Sequence, residues 1–163
     1  MRFLGHDGGR FSLEFATEEK ALLLNVLSLY PLVPESYHKL TRDKKLPMLE
    51  ENQQLLGDAL EVQREQNKNE ILTFISVPRR FTESEGVSQV SLARADLEWL
   101  LQVVNDVRVG CWIAMGSPDY ETKKQGRMEK ESLQHMMFME LAGAFQMFFL
   151  GIVNGDVPPE GKE

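Results

Sequence analysis

MMFMELAGAFQMFFLGIV, residues 136–153, is the stretch on which the fold turns. It approaches the length of a membrane-spanning helix. Glu140 and Gln146 interrupt it, and an isolated carboxylate near mid-span costs a few kcal/mol on insertion scales. No aromatic or lysine belt flanks the run. The reading is therefore a helix buried on most sides, the centre of a soluble fold rather than a span. It extends over residues 128–154, with Gly155 as its C-cap, and Pro158-Pro159 lies in a tail, residues 156–163, expected to be disordered. Leu141, Phe145, Phe148 and Ile152 mark its dominant apolar side. Met136, Met139 and Met147 fall off that side, so a second chain is one way to cover them.

Working outward, RADLEWLLQVVNDVRVGCWIAM at residues 94–115 reads as the second long helix, stopped by Gly116-Ser117-Pro118. Arg108 is the odd residue in it. Val104, Leu101, Cys111, Trp112 and Met115 lie within one turn on the same side, and a guanidinium buried there needs a carboxylate or carbonyls to offset lost hydration. The architectural expectation is a buried bridge from Arg108 to a carboxylate such as Glu140 or Glu19, or hydrogen bonds to helix-end carbonyls. The functional one is an anion or peptide-terminus pocket between helices, with Asn105 lending an amide. Asp106 points to the opposite side.

Phe11, Leu13 and Phe15 alternate with Ser12 and Glu14, which predicts a half-buried strand hairpinned to residues 2–4 through Gly5-His6-Asp7-Gly8-Gly9. Thr17 is the expected cap of a following helix that Pro31 closes, with Leu22, Leu23, Val26, Leu27 and Tyr30 on its buried face. Residues 31–47 read as a loop with one helical turn near residues 36–40. A helix resumes at Pro47 and runs to about Ser76, its stripe mixing Leu49, Leu56, Leu60, Ile71 and Phe74 with Gln53, Gln63 and Asn67. Residues 79–86 read as a loop, and Val87, Val90 and Leu92 as a weak strand that adds to the hairpin. Residues 119–127 read as a polar connector. No internal repeat is apparent.

The chain has 163 residues, 42% apolar and 26% charged, enough for one domain over residues 1–155. A net charge of -7 disfavours general attraction to nucleic acid or anionic lipid. The basic pairs Lys44-Lys45, Arg79-Arg80 and Lys123-Lys124 have no interleaved aromatics and read as solvated loops. The single cysteine, Cys111, on an apolar face, points to a reducing cytoplasm. Met1 to Arg10 has no signal-peptide character, so the mature chain is expected to begin here.

Chemistry-bearing motifs are sparse. His6, His38 and His135 stand in no metal-ligand spacing, and Glu131 with His135 reads as a surface pair. No serine elbow, phosphate loop or cysteine–histidine pair is present, and neither a metal nor a cofactor is expected.

Trp99-Leu100 followed by Asn105-Asp106-Val107-Arg108-Val109 resembles the Trp-Leu and Asn-Asp-hydrophobic-Arg signature of an uncharacterised bacterial domain family, commonest in actinobacteria. Residues 13–23 resemble its N-terminal block, and residues 141–149, centred on Phe145-Gln146, its C-terminal Leu-Gln motif. Where the family carries a second Arg-Leu, this chain has Cys111-Trp112-Ile113. The resemblance implies a helical cytosolic protein without known enzymatic activity, encoded in several genomes beside a Clp-protease adaptor, and makes Asn105, Arg108 and Gln146 the candidate binding residues.

The sequence thus predicts a mainly α, single-domain bundle of four to five helices with a two- or three-stranded sheet at one end. The expected function is a non-catalytic interaction or regulatory protein, self-associating through the Met-Phe helix or binding a protein partner. The alternatives are an anionic-ligand binder or enzyme using a pocket at Arg108 and, more weakly, a nucleic-acid-binding regulator showing Arg79, Arg80, Lys123 and Lys124 on one face.

Overall fold

The computed structural model of the protein describes residues 1–39, 48–77, 80–117 and 130–160. Strands β1 (Arg2–Asp7) and β2 (Arg10–Ala16) lead into helix α1 (Thr17–Ser28), a 3-10 turn (Glu35–Tyr37) and helix α2 (Leu49–Ser76). Strands β3 (Thr82–Ser84) and β4 (Val87–Ala93) lead into helices α3 (Arg94–Ala114) and α4 (Lys130–Asn154). The strands form one antiparallel sheet in the order β1-β2-β4-β3. The mainly helical class holds. The sheet, however, has four strands and does not sit at one end. The missed strand is Thr82–Ser84, whose polar residues are all exposed. A three-residue edge strand has no buried face, and so leaves no apolar alternation to read.

Alternation sets the layers. Phe11, Leu13, Phe15, Val90 and Leu92 point into a core shared with Leu23, Val26, Leu97, Leu100, Val103, Val107 and, from α4, Ala142, Phe145, Phe149 and Ile152. The other sheet face is polar, where Glu14 pairs with Arg2 and accepts a 2.8 Å bond from Gln89. Arg10 donates to the Ser91 hydroxyl at 3.0 Å and carbonyl at 2.6 Å.

The chain is built twice, which the sequence did not reveal. Each half is a hairpin, a helix packed on the sheet and a long second helix. In the hairpins and first helices, positions 77 residues apart are equivalent. Both hairpin turns take positive φ at both central residues, Gly8 (54°) and Gly9 (79°), Glu85 (45°) and Gly86 (84°), the geometry that suits strand twist. Both first helices start with a third-position carboxylate reaching back: Glu19 accepts from Ala16 N at 2.9 Å, and Asp96 from Ala93 N at 2.7 Å. Buried Leu13, Phe15, Leu23, Val26 and Leu27 match Val90, Leu92, Leu100, Val103 and Val104. Leu13 is also the ladder partner of Val90, its own counterpart, so a pseudo-twofold axis passes between them. The second helices depart from the axis: α4 packs along the length of α3, whereas α2 meets α1 at only a few places. Most identities differ, although Gly9 and Gly86, Leu23 and Leu100, and Val26 and Val103 are the same residue in both halves.

Thr17 does not cap α1. Its hydroxyl donates to Gly86 O at 2.9 Å, tying the first helix to the second hairpin. Residues past α4 are held as far as Glu160. Asp156 N and Val157 N donate to Gly151 O at 2.7 and 3.3 Å, and Glu160 N donates to Phe3 O at 2.8 Å.

Candidate functional site

Asn105, Arg108 and Gln146 meet. Arg108 Nη1 donates to Gln146 Oε1 at 2.9 Å, and Gln146 Nε2 donates to Asn105 Oδ1 at 3.2 Å, so an amide bridges α3 and α4. The expected burial of Arg108 is wrong. The residue is exposed, and neither Glu140 nor Glu19 pairs with it. Glu19 instead takes the N-terminal ammonium and Ala16 N. Arg108 escapes burial because α4 presents Gly143 beneath it: a Cβ there would lie 3.8 Å from Arg108 Nε, so the stem rests on the groove and the charge stays in water. The hydrogen-bond chain holds the guanidinium at the outer edge of α4. It also satisfies the Gln146 amide within the apolar C-terminal half of α4.

Asp106 does point away from Arg108. Its Oδ1 accepts from Leu32 N at 2.8 Å and Val33 N at 3.3 Å, fixing the loop after α1 onto α3. That loop is also held by α2, where Arg64 donates to Val33 O at 2.7 Å and pairs with Glu35 at 3.0 Å. Asn67 donates to the Tyr30 hydroxyl at 2.9 Å. Gln63 Nε2 donates to Asn67 Oδ1 at 3.2 Å and Gln53 Nε2 to His38 O at 2.8 Å, so the polar stripe of α2 is engaged with this loop and with itself. A cleft of about 620 Å³ lies beside the loop, lined by Tyr37, His38, Leu56, Asn105 and Asp106.

The larger feature is the outer face of α4. Within residues 131–154 the most apolar 18-residue window has mean hydropathy 1.7, yet only 22% of that window is buried. By length and composition it could cross a membrane, a test that the core helix of a soluble protein also passes. Its inner face supplies Ala142, Phe145, Phe149 and Ile152 to the core. Its outer face leaves Leu133 at 48%, Met137 at 51%, Met147 at 77% and Leu150 at 46% exposure. Met136 and Met139, expected off the apolar side, are half-buried. Met137 is the exposed methionine that sequence periodicity missed: it lies one turn before Leu141 on the side expected to be buried, whereas the buried side runs through Ala142, Phe145, Phe149 and Ile152.

Glu140 stands in this outer stripe with no ion-pair or hydrogen-bond partner among the described residues. His135 Nδ1 lies 2.9 Å from the Glu131 backbone oxygen, a helix-internal contact rather than a ligand geometry. No group of three or more potential metal-ligating side chains occurs among the described residues. Of the four basic residues expected on one face, Arg79, Lys123 and Lys124 lie outside the described residues, as do Lys44 and Lys45. No family model, curated protein or solved structure matches the chain.

Proposed function

We propose that the protein is a non-catalytic interaction module, and that a second copy of itself docks on the outer face of α4. The observation that carries this is an apolar helix that one chain covers on only one side. Scattered exposed apolar residues need no explanation, whereas a row of them along one helix marks a contact surface. The stripe is Leu133, Met137, Glu140, Ala144, Met147 and Leu150, and its midpoint falls between Glu140 and Ala144.

An antiparallel copy on this midpoint sets Met137 against the partner's Met147, and Glu140 against the partner's Ala144. Arg108, resting on Gly143 and bonded to Gln146, stands at the height of Ala144. Glu140 therefore faces the partner's Arg108, and the twofold repeats that pairing. Two charges that lack carboxylate or guanidinium partners among the described residues are satisfied by the same contact. The resemblance around Trp99-Leu100 and Asn105–Arg108 to an uncharacterised bacterial family, and the lone buried Cys111, are consistent with a cytoplasmic regulatory role.

Sedimentation equilibrium tests the reading. The parent chain should dimerise within the range up to about 100 μM, where weak specific contacts become populated. Met147→Lys should leave it monomeric with an unchanged circular dichroism spectrum. Glu140→Arg and Arg108→Glu should each weaken the dimer, and together restore it. A parent chain monomeric at about 100 μM refutes the proposal; so does a double variant no tighter than either single one.

A further inference from the structure

The polar face of the sheet carries a cleft of about 480 Å³ whose polar lining is Arg10, Ser12, Arg80, Thr82, Gln89 and Ser91. The chain has a net charge of -7, yet the only charged residues among the described ones lining this cleft are two arginines. Strand alternation sets the lining. Ser12, Gln89 and Ser91 face outward because Phe11, Leu13, Val90 and Leu92 fill the core. Ser12 and Ser91 are ladder partners, as are Thr82 and Gln89, so hydroxyls and an amide from three strands stand side by side.

Neither arginine has a carboxylate partner among the described residues, and each is held in place by other means. Arg10 spends Nε and Nη2 on the hydroxyl and carbonyl of Ser91, at 3.0 and 2.6 Å. Those two bonds fix the plane of the guanidinium and leave its other N–H donors unused. The Arg80 guanidinium lies 5.1 Å from the Phe74 ring centroid. Its Nε is sealed in the fold and takes no part. Its terminal nitrogens make no hydrogen bond to the described residues and are not among the buried unpaired atoms, so they reach solvent. Glu14, on the same sheet face, is already taken by Arg2 and Gln89. Two fixed like charges thus share one concave, hydroxyl-lined place, a repulsion that an anion between them removes.

We infer that this cleft binds the phosphoryl group of a small phosphomonoester. A phosphomonoester carries a charge of about -1.5 to -2 at neutral pH and presents three strong acceptor oxygens, which matches two guanidiniums and the hydroxyls beside them. A carboxylate would leave one guanidinium uncompensated. Arginine forks suit phosphate oxygens, and the Ser12 and Thr82 hydroxyls, without partners among the described residues, supply further donors. The volume is that of a small-molecule site, and Val77 and Val90 give the organic remainder an apolar surface. An extended polyanion is disfavoured, because its other phosphates would meet a chain of net charge -7. The site shares no residue with the outer face of α4 and does not rest on dimerisation.

The test is calorimetric titration of the full chain at constant ionic strength with methyl phosphate, acetate and a short single-stranded oligonucleotide. Methyl phosphate should saturate one site with a Kd of about 1 mM or below, and acetate should bind at least about tenfold more weakly. Lowering the pH from about 7.5 to about 5, through the second phosphate ionisation near 6, should weaken binding as the dianion is protonated. Arg10→Met and Arg80→Met should each weaken it about tenfold or more, the loss of a charged hydrogen bond. Arg10 stands at an exposed strand position, so Arg10→Met should melt like the parent and decides the matter if Arg80→Met fails to fold. No saturable heat up to about 10 mM methyl phosphate would overturn the site, and so would undiminished binding by Arg10→Met. Equal binding of acetate, or binding of the oligonucleotide without methyl phosphate, would overturn the ligand assignment.

Discussion

Gly110 and Gly57 offer one substitution with two opposite expected outcomes. Both lie inside helices, α3 and α2, where replacing glycine by alanine in open space stabilises by about 1 kcal/mol through helix propensity. Gly57 has nothing within 4 Å of an added Cβ, so Gly57→Ala should gain most of that amount. At Gly110 an added Cβ would lie 2.5 Å from Leu32 Cβ and 2.7 Å from its backbone carbonyl carbon. Backbone cannot swing aside as a side-chain tip does. Leu32 is moreover tethered by its own N–H to Asp106 Oδ1 at 2.8 Å, one turn earlier on the same helix.

Relieving that clash means lifting the loop, at an overpacking cost of roughly 1–3 kcal/mol. Loosening the Leu32 and Val33 bonds to Asp106 costs about 0.5–1.5 kcal/mol each. Set against the propensity gain, Gly110→Ala should lose about 1–5 kcal/mol net. In urea unfolding followed by circular dichroism, that lowers the midpoint by about 0.5–2.5 M at a slope near 2 kcal/mol/M, while Gly57→Ala raises it. A Gly110→Ala midpoint equal to or above the parent would mean that the loop after α1 is not seated on α3, and the reasoning would fail.

Two further expectations follow from titratable groups. Hydrogen bonds from Gln89 and then from Arg2, working against desolvation, hold Glu14 below its ordinary 4.5; bonds from Lys20 and Ser88 do the same for Glu83. A depressed carboxylate stabilises the fold above its unfolded value and loses that contribution as pH falls through the folded one. Melting temperature should therefore decline below about pH 4.5, and Glu14→Gln with Glu83→Gln should flatten the decline; a pH profile identical to the parent would count against these pairings. Burial raises the Cys111 thiol, and the side chain is fully buried, so a thiol reagent such as DTNB should react with native protein only at the rate of opening; rapid labelling of the folded chain would contradict its place in the core.

Much of the fold was legible where a residue pattern maps directly onto burial. The 3.6-residue stripes of residues 49–76 and 94–114 located α2 and α3, and the alternation in residues 11–15 located β2, because those elements bury one face. What stayed hidden was pairing at a distance. Thr82–Ser84 is a strand only because β4 lies beside it. The repeat escaped notice because Phe15 and Leu92, or Phe11 and Ser88, share burial without sharing identity. At the candidate site, the three residues singled out do come together, but Arg108 was read as buried. A helical wheel counts neighbours on one helix and cannot see that α4 offers a glycine there. The Arg10–Arg80 cleft carried no signal in one dimension, since its walls come from three strands and the stretch after α2.

The twofold plan and the bond from Glu160 N to Phe3 O together bear on how the chain could be rewired. The last described residue lies beside the first strand, and the halves join through the short stretch between Ser76 and Thr82. Linking the tail to Met1 and opening the chain in that stretch would yield a circular permutant that begins with the second half and ends with the first. The ladders β1-β2, β2-β4 and β4-β3 would all survive, because each half keeps its own hairpin and the Leu13–Val90 pairing at the axis does not depend on which half is made first.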